Sequence, residues 1–401
     1  MSFPYKVILK SGKDASVERR HPWVFSGAIK KIKDENGREA EPSEGDVVAV
    51  TNNKDKFLGA GHYAGGSIAV RLLTFEEVND FGVDFFTTKF KRAYQLRETL
   101  GLTKNDSTNI FRFIHAEGDG LPGLIIDHYA GSLVVQAHSI GMHMAKDIIA
   151  GALKEVFGDD LRSIYYKSKE TLPKEYEVED HYLYQTKTGK GKAVEYDCLY
   201  DIDWVKGQKT GFFVDQRENR KLIADYSKGK NVLNTFCYSG GFSIAALKAG
   251  ANLVHSVDSS AKAIDLTDIN VKLNEVEERH ESFVSDTFKF FEHQASENYD
   301  IIILDPPAFA KHVRVKHNAV QGYKRLNATA LRFIQPGGIL FTFSCSQVVD
   351  QKLFYNTVMA AAIQVGREVK VLHHLTQPAD HPVSIFHPEG EYLKGLVVQV
   401  W

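Results

Sequence analysis

Residues 232–243 read VLNTFCYSGGFS, a short apolar run that stops at the paired glycines Gly240 and Gly241. The helical pattern IAALK follows at residues 244–248. A strand, a glycine turn and a helix in this order are typical of an open α/β sheet, which binds its ligands at the carboxyl ends of the strands. Because glycine lets the backbone pass close to a ligand, this stretch predicts a nucleotide-type pocket at the turn.

Two further predicted strands end in acids. The run HSVD ends at Asp258, and the run DIIILDPP at residues 300–307 carries Asp305 before two prolines. A carboxylate at Asp258 can accept both hydroxyls of a ribose. The prolines hold the chain stiff, so Asp305 can bind the edge of a flat base while Phe309 stacks on its face. The alternative for the second acid is a rigid loop after a buried strand.

The glycine pattern distinguishes between cofactors. A dinucleotide site has the pattern Gly-x-Gly-x-x-Gly, because its pyrophosphate needs close backbone and a free helix N-terminus. This chain has YSGGFS at residues 238–243 instead. S-adenosylmethionine carries no phosphate, so a freer glycine turn with an acid at the next strand end suits it better. A tight turn without ligand and a dinucleotide oxidoreductase are the alternatives.

A third strand ends in a thiol. The run GILFTFSCS at residues 338–346 places Cys345 at the predicted carboxyl edge. A thiolate that adds to carbon 6 of cytosine turns carbon 5 into a nucleophile, and a positive charge nearby would favour the thiolate. The alternative is a small buried hydrophobe, the usual state of a free cysteine. That alternative suits Cys198 and Cys237 better than Cys345.

Two polar segments lie near these strand ends in the sequence. Residues 206–220 read KGQKTGFFVDQRENR. Phe213, Gln216 and Arg217 are candidates to form the floor of the cofactor pocket or to bind a phosphate. Residues 311–317 read KHVRVKH and predict a basic loop that contacts the phosphates beside an extruded nucleotide. A charged helix start is the alternative for the first segment, and a solvated loop for the second.

The chain reads as three parts. Residues 1–75 have short strands and many turns, which favours a barrel, and residues 76–192 mix helices and strands. In this second part the segment 167–192 is predicted to be loop. From 193 to 401 strands and helices alternate, which predicts a mostly parallel sheet. Residues 369–373 and 394–400 have no convincing helix between them, so they are expected to pair as an antiparallel edge.

Bulk composition narrows the class of protein. The 401 residues are 43% hydrophobic and 25% charged, with a net charge of −2, which is typical of a globular protein without a global nucleic-acid signature. No apolar run approaches the ~20 residues of a membrane span. No signal-peptide core is recognisable at the start, so we expect a cytoplasmic location. Three cysteines without metal-type spacing argue against a disulfide framework and a structural zinc site, and no metal is predicted.

Taken together, several motifs resemble the cytosine-5 methyltransferases of large-subunit ribosomal RNA. They are NTFCYSGGF at 234–242, DSS at 258–260, DPP at 305–307, SCS at 344–346, GQKTGFF at 207–213 and DQR at 215–217. The C-terminal segments ADHPV at 379–383 and PEGEYLKG at 388–395 are also similar to that family. Near the start, HPWVFSG at 21–27 resembles its RNA-binding PUA domain. The resemblance spans nearly the whole chain.

This resemblance implies an α/β fold: a class I, Rossmann-like methyltransferase sheet that binds S-adenosylmethionine, preceded by a small PUA β-barrel and a small α+β middle domain. It implies that Cys345 is the catalytic nucleophile and that Asp305 binds the base. The predicted cofactor-binding residues are Phe213, Gln216, Asn234, Phe236, Tyr238, Ser239, Gly240, Asp258, Ser259, Asp286 and Asp305. The predicted substrate-binding residues are Arg217, Pro306, Phe309, Lys311, Arg314 and Lys316.

The chain departs from many RNA cytosine-5 methyltransferases at one point. These enzymes carry a second cysteine after the proline of the Asp-Pro motif, whereas Pro307 and Ala308 follow Pro306 here. Two alternatives therefore stay open: methylation of a guanine or adenine nitrogen in RNA, and a non-catalytic RNA-binding assembly factor. The expected partner is 23S ribosomal RNA, naked or in an assembly intermediate. No membrane partner is expected, and a homodimer is one alternative for the oligomeric state.

Overall fold

In a computed structural model that describes residues 3–186, 191–293, 299–310 and 312–401, the chain forms two compact units. The first unit comprises Met1–Gly191, Asp203–Val214 and Ala379–Gly390. The second comprises Lys192–Ile202, Asp215–Pro378 and Glu391–Trp401. No helix among the described residues combines the length and the apolar character needed to cross a bilayer.

The first unit begins with a six-stranded sheet in the order β2-β6-β5-β4-β1-β3. The edge strands β2 and β3 are joined by the three-residue turn Ser26–Ala28. A flat six-stranded sheet is about 24 Å wide at ~4.8 Å per strand, whereas this linker reaches at most ~14 Å. The sheet must therefore curl until its edges approach, as the predicted barrel requires. Its elements are β1 (Tyr5–Leu9), α1 (Ala15–Glu18), β2 (Trp23–Phe25), β3 (Ile29–Asp34), β4 (Val47–Thr51), β5 (Phe57–Tyr63) and β6 (Ile68–Thr74).

The first unit continues with a five-stranded sheet in the order β11-β10-β9-β8-β7. The prediction of loop throughout 167–192 is wrong, because β11 pairs antiparallel with β10 at residues 181–185. The alternation of Tyr182 and Tyr184 with polar residues forms this edge strand, but the Lys- and Glu-rich flanks obscured it. The elements are α2 (Val83–Thr99), β7 (Ile110–His115), β8 (Leu124–Tyr129), β9 (Ser132–Ala137), α3 (Ile140–Met144), α4 (Lys146–Phe157), β10 (Ser163–Tyr166) and β11 (His181–Gln185).

The second unit is built on a seven-stranded sheet in the order β16-β15-β14-β17-β18-β20-β19. The first five of these strands are parallel, which confirms the predicted α/β architecture. A two-stranded sheet, β12 with β13, precedes it. The elements are β12 (Ala193–Glu195), β13 (Cys198–Tyr200), α5 (Arg217–Ser227), β14 (Asn231–Thr235), α6 (Gly241–Lys248), β15 (Leu253–Asp258), α7 (Ala261–Leu273), β16 (His280–Val284), α8 (Thr287–His293), β17 (Tyr299–Leu304), α9 (Lys316–Phe333), β18 (Ile334–Ser344), α10 (Gln351–Val365), β19 (Val369–Thr376) and β20 (Lys394–Val400).

The last two strands form the predicted antiparallel edge. Strand β20 pairs antiparallel with β19 on one side and with β18 on the other. Insertion of β20 next to β18 aligns Lys394 with Ser344. The final strand of the chain therefore delivers a lysine to the end of β18, one residue before Cys345.

The core of the second unit lies between the sheet and its helices. Ile302, Leu304, Leu326 and Leu340 are among the fully buried side chains that form it. Burial of each such side chain contributes roughly 1.5–3 kcal/mol relative to exposure. The four-residue apolar run of β17 is buried throughout, as expected for a central parallel strand. This packing fixes the strand ends from which the candidate site is built.

Candidate active site at the carboxyl edge of the sheet

The parallel register brings four strand ends to one edge of the sheet. Thr235 of β14 pairs with Val257 of β15 and with Leu304 of β17. Leu304 in turn pairs with Thr342 of β18. The next residues along each strand are the glycine turn, Asp258, Asp305 and, three positions beyond Thr342, Cys345. The sheet therefore places these predicted site residues at a common edge.

The glycine turn has a strained backbone. Phe236, Tyr238 and Gly240 have φ angles of +57°, +47° and +75°. A side chain in this left-handed region costs roughly 1–2 kcal/mol, and such strain concentrates at functional sites. The turn is held by Cys237, whose N–H donates to Val257 O at 3.1 Å and whose carbonyl accepts from Gly240 N at 2.8 Å. This geometry places Phe236 and Tyr238, both half-buried, at the strand end.

A buried column of polar groups braces the turn from below. Asn234 Nδ2 donates to Ser243 Oγ at 2.8 Å, and Ser243 Oγ lies 2.6 Å from Ser256 Oγ. Asn234 is 1% exposed, and its Oδ1 has no hydrogen-bond partner in the described part of the chain. Ser239 is also buried, and its carbonyl accepts from Asn270 Nδ2 at 3.0 Å. Both predicted cofactor residues therefore shape the turn from within.

Asp258 organises the backbone around the end of β15. Its Oδ2 accepts from Tyr238 N at 3.1 Å, and its Oδ1 accepts from Ser260 N at 2.9 Å. A carboxylate offers about four acceptor positions, so it can also accept the two hydroxyls of a ribose. The neighbouring Ser259 is exposed. Asp286, beyond the end of β16, caps α8 by accepting from Phe288 N at 2.9 Å.

Asp305 is held by an amide side chain. Gln216 Nε2 donates to Asp305 Oδ1 at 3.0 Å, and Gln216 Oε1 accepts from Asn219 Nδ2 at 2.6 Å. Asp305 is half-buried, and Pro306 behind it is buried. The first turn of α5 therefore fixes the orientation of the carboxylate. The sequence predicted both Gln216 and Asp305 as site residues, but not that they contact each other.

Phe309 packs against the helix that follows it. Its ring centroid lies 4.5 Å from that of Tyr323 in α9. A Cβ added at Gly322 would lie 2.9 Å from Phe309 Cδ2. The ring is only half-buried, so part of it is accessible to solvent. Phe309 thus links the Asp305 edge to α9.

Cys345 is half-buried at the end of β18 and lies beside a buried lysine. Lys394 is 6% exposed, and its Nζ donates to Ser346 O and Val349 O, each at 2.8 Å. Burial lowers the pKa of Lys394, whereas negative charge on Cys345 acts to raise it. By reciprocity the ammonium favours the thiolate form of Cys345. The buried Lys394 ammonium is thus a positive charge beside the Cys345 thiol.

The other two cysteines have different surroundings. Burial raises the pKa of the Cys237 thiol to about 12 and that of the Cys198 thiol to about 11. Cys237 Sγ also lies 3.6 Å from Thr267 Oγ1. Both thiols are therefore protonated and packed at neutral pH, in agreement with the hydrophobic role that the sequence suggested for them.

Phe213 and Arg217 lie in different units. Phe213 belongs to the first unit, where Lys209 Nζ lies 4.8 Å from its ring centroid. Arg217 begins α5 in the second unit and is 2% exposed, with its Nε donating to Glu218 Oε1 at 3.1 Å. Such burial leaves little of the Arg217 side chain accessible to an RNA phosphate.

The basic segment is only partly a loop, and in this respect the prediction is wrong. Residues Val313–Val315 form a 3-10 turn, and Lys316 begins the long helix α9. Arg314 is exposed and Lys316 is half-buried. Lys311 lies outside the described residues. Some of the charged residues of this segment therefore belong to the first turn of α9 and not to a loop.

Two neighbours of Cys345 were not predicted as site residues. The β18–β20 pairing brings Lys394 to the end of β18, and in the sequence its segment is marked only by the family resemblance. Tyr323 lies on α9, and its hydroxyl is 2.9 Å from Ser346 Oγ. The sequence predicts that residues 394–400 form an antiparallel edge strand with residues 369–373. It does not predict that this strand also pairs with β18, which is the pairing that brings Lys394 to Ser344.

These residues fit S-adenosylmethionine. The edge offers a half-buried carboxylate at Asp258 for a ribose, a strained glycine turn for close backbone approach, and a buried acceptor at Asn234 Oδ1 without a partner. A pyrophosphate is an anion and would need a positive group near it, and none of these three groups carries a positive charge. The donor set therefore suits a nucleoside cofactor without phosphate.

The comparisons with known proteins agree with this interpretation. The family model for S-adenosylmethionine-dependent methyltransferases matches residues 182–384, and the model for PUA-like domains matches residues 7–75. A protein of Aeromonas hydrophila named ribosomal RNA large subunit methyltransferase I is 38% identical, covering 98% of each chain. A protein of the same name from Shewanella frigidimarina is also 38% identical, covering 99% of each chain.

The fold is also similar to that of a solved structure. A protein from Streptococcus mutans superposes with a TM-score of 0.82 at 22% identity, covering 98% of this chain and 99% of the other. At that identity the likeness concerns the fold alone. The family follows from the full-length relatives and from the site geometry: this chain is an S-adenosylmethionine-dependent methyltransferase with an N-terminal PUA-like domain, and it belongs to the ribosomal RNA large subunit methyltransferase I family.

Proposed function

We propose that this chain methylates carbon 5 of a cytosine in 23S (large-subunit) ribosomal RNA, with Cys345 as the nucleophile. The names of its full-length relatives support ribosomal RNA as the substrate. The observation that carries the chemistry is the position of Cys345 at the same sheet edge as Asp305 and the glycine turn. A buried lysine beside the thiol adds to this support.

The proposed reaction begins at the thiolate. Its sulfur forms a bond to carbon 6 of the cytosine, and the electron pair of the 5,6 double bond makes carbon 5 nucleophilic. When bound, S-adenosylmethionine supplies the electrophilic methyl group. Carbon 5 bonds to this methyl group, and S-adenosylhomocysteine is the leaving group. A base or a water molecule then takes the proton of carbon 5, and elimination of the thiolate restores the 5,6 double bond. The charge of Lys394 favours the ionised sulfur at the beginning and end of this cycle.

Asp305 positions the base in this scheme. A carboxylate accepts hydrogen bonds from the exocyclic amine of cytosine. Gln216 holds one of the oxygens of Asp305 at 3.0 Å, so the carboxylate is oriented before the base arrives. The cytosine must leave its stack to reach this edge, as in other enzymes that modify a base. Because Pro307 and Ala308 occupy the positions after Pro306, product release proceeds without a second thiol there.

Substitution of the nucleophile tests the proposal. Cys345→Ala should bind S-adenosylmethionine with unchanged affinity, measured by calorimetry, and should form no 5-methylcytosine in protein-free 23S rRNA or in ribosomal particles. Cys198→Ala is the matched control, because Cys198 is buried and lies outside the proposed site. Retained methylation by Cys345→Ala would contradict the thiol mechanism and favour a purine nitrogen as the target. A wild-type chain that binds no S-adenosylmethionine would instead indicate an assembly factor.

A further inference from the structure

Helix α9 has an unusual charge distribution. Its 18 residues carry Lys316, Lys324, Arg325 and Arg332 and contain no Asp or Glu, in a chain whose net charge is −2. Three of these cations belong to one face, because residues 324, 325 and 332 lie within about 100° of one another at 100° per residue. His317 and Gln321 share that face. The helix therefore presents a positive stripe without acidic residues.

This stripe borders a groove of about 400 Å³ between α8 and α9. We call it the α8–α9 groove; its lining includes Phe288, Phe291, Lys324, Arg325, Arg332 and Phe333. Arg325 lies over the ring of Phe288, 4.3 Å from the centroid, and the rings of Phe291 and Phe333 stack at 4.9 Å. Among the described residues that line the groove, one is acidic, Glu292. The groove thus combines cations with an aromatic floor.

The α8–α9 groove is connected to the candidate active site through α9 itself. Near the middle of α9, the buried Tyr323 contacts Phe309 from the face opposite the stripe, and its hydroxyl lies 2.9 Å from Ser346 Oγ, next to Cys345. From Lys324 to Arg332 the stripe extends about 12 Å along the helix axis at 1.5 Å per residue. That length corresponds to about three to four stacked nucleotides at ~3.4 Å each. Because α9 lies between the parallel strands β17 and β18, its N-terminal end is directed towards the carboxyl edge of the sheet. An RNA strand that leaves the active site at that end can therefore continue along the exposed stripe.

We propose that the α8–α9 groove binds the phosphate backbone of the substrate RNA that flanks the modified nucleotide. The proposal rests on the proposed function, since it takes ribosomal RNA as the substrate. Lys324, Arg325 and Arg332 neutralise successive phosphates, and Phe288 and Phe333 contact sugars or bases. Such contacts position the RNA without reading its sequence. The choice of RNA follows from the one-signed charge of α9 and from its continuity with the base-binding edge.

The test removes the three cations from the full-length chain as Lys324→Gln/Arg325→Gln/Arg332→Gln. Binding to transcribed 23S rRNA is measured at several salt concentrations. Each lost phosphate contact on single-stranded RNA lowers the slope of log K against log salt by about 0.7, so the slope should fall by about 2. The Kd should rise at least about tenfold at ~0.1 M salt. The methylation rate at saturating RNA and the affinity for S-adenosylmethionine should stay unchanged.

The matched control removes three exposed lysines from other elements of the same unit, as Lys228→Gln/Lys272→Gln/Lys352→Gln. It loses the same charge and should retain the wild-type salt slope. Because Arg325 contacts Phe288, the thermal midpoint of each variant is measured as well. The single reversal Arg332→Glu, at an exposed position, keeps the test valid if the triple variant fails to fold.

An unchanged Kd and salt slope in the triple variant would overturn the groove proposal. A defect on ribosomal particles but not on protein-free rRNA would overturn it too, because it would indicate a protein partner. The proposed function fails separately: a wild-type chain that binds rRNA through these cations but forms no 5-methylcytosine would refute the chemistry and leave the groove proposal standing.

Discussion

Lys394 and Cys345 meet because β18 and β20 are antiparallel, with Ser344 opposite Lys394. The ammonium is buried and hydrogen-bonded to two carbonyls, so its position is fixed. A fixed charge beside a thiol changes the protonation of that thiol more than a mobile surface charge does. Lys394 is thus a positioning residue that acts through the sulfur.

Lys394→Met should shift the pH dependence of Cys345 reactivity to higher pH, because the thiolate loses its neighbouring cation. At neutral pH the alkylation rate of Cys345 by iodoacetamide should fall roughly tenfold. Mass spectrometry of the alkylated peptide separates Cys345 from the buried Cys198 and Cys237. Lys370→Met, at an exposed position on β19, is the control. An unshifted pH profile in Lys394→Met would assign the lysine a purely structural role.

At the residue scale the sequence identified groups at strand ends but not their partners. Asp258, Asp305 and Cys345 could be found because each follows an apolar run that predicts a strand. The Gln216–Asp305 contact and the Lys394 charge join residues 89 and about 50 positions apart. Such contacts depend on tertiary packing, which a local pattern does not record.

At the scale of elements, the turn between β14 and α6 combines tight packing with a left-handed backbone. Gly240 has a φ of +75°, and a Cβ there would lie 2.7 Å from Thr267 Cγ2. Thr267 Oγ1 also donates to Tyr238 O at 2.9 Å. A side chain at Gly240 would therefore push α7 away from the turn and disturb the backbone around Asp258.

Gly240→Ala should lower the free energy of unfolding by roughly 2–4 kcal/mol, from backbone strain and overpacking together. It should also weaken the binding of S-adenosylmethionine at least about tenfold, because the turn is displaced. Chemical denaturation and calorimetry measure the two effects. Gly229→Ala is a matched control, since Gly229 has a φ of +72° but no heavy atom within 4 Å of an added Cβ. Equal effects of the two substitutions would contradict the packing argument.

The elements that the sequence misassigned share a cause. The predicted loop at 167–192 contains β11, and the predicted basic loop contains the start of α9. In both places charged residues mark a solvent-exposed face, which is common to loops, edge strands and helix ends. The central strands β14 and β17 have no such ambiguity, because their apolar residues are buried on both faces of the sheet.

At the scale of the whole chain, two segments return to the first unit from within the methyltransferase region. Thr210 Oγ1 donates to Asp127 Oδ2 at 2.6 Å, and Arg97 Nη2 donates to Asp380 O at 2.7 Å. These buried contacts place 203–214 and 379–390 with the five-stranded sheet. The sequence division at 75 and 192 stays a prediction. Polar contacts between residues so far apart in the sequence cannot be predicted from local composition.

Each unit contains a buried histidine that links its stability to pH. Burial lowers the pKa of His62 in the first unit to about 4, and that of His280 in the second unit to about 4. An unfolded histidine has a pKa near ~6.5, so the unfolded chain binds more protons between pH ~6.5 and ~4. The free energy of unfolding must therefore fall as the pH decreases through this window.

We expect the difference in proton binding at each of these histidines to lower the free energy of unfolding by on the order of 1–3 kcal/mol between pH ~6.5 and pH ~4. Urea denaturation at a series of pH values measures this loss. His280→Gln keeps a hydrogen-bonding group near Ser256 but does not titrate, so it should reduce the acid sensitivity of the second unit. The exposed His312→Gln serves as control. A wild-type stability that is flat across the window would contradict the burial argument.

The central claim is that the sulfur of Cys345 bonds to the substrate cytosine, and trapping that bond tests it most directly. Ribosomal RNA that contains 5-fluorocytosine offers no removable proton at carbon 5, so an adduct formed on it cannot release the thiol. After incubation with S-adenosylmethionine and nuclease digestion, mass spectrometry should find a methylated 5-fluorocytidine on the peptide that contains Cys345. An unmodified Cys345 peptide, together with normal methylation of unsubstituted RNA, would contradict the account.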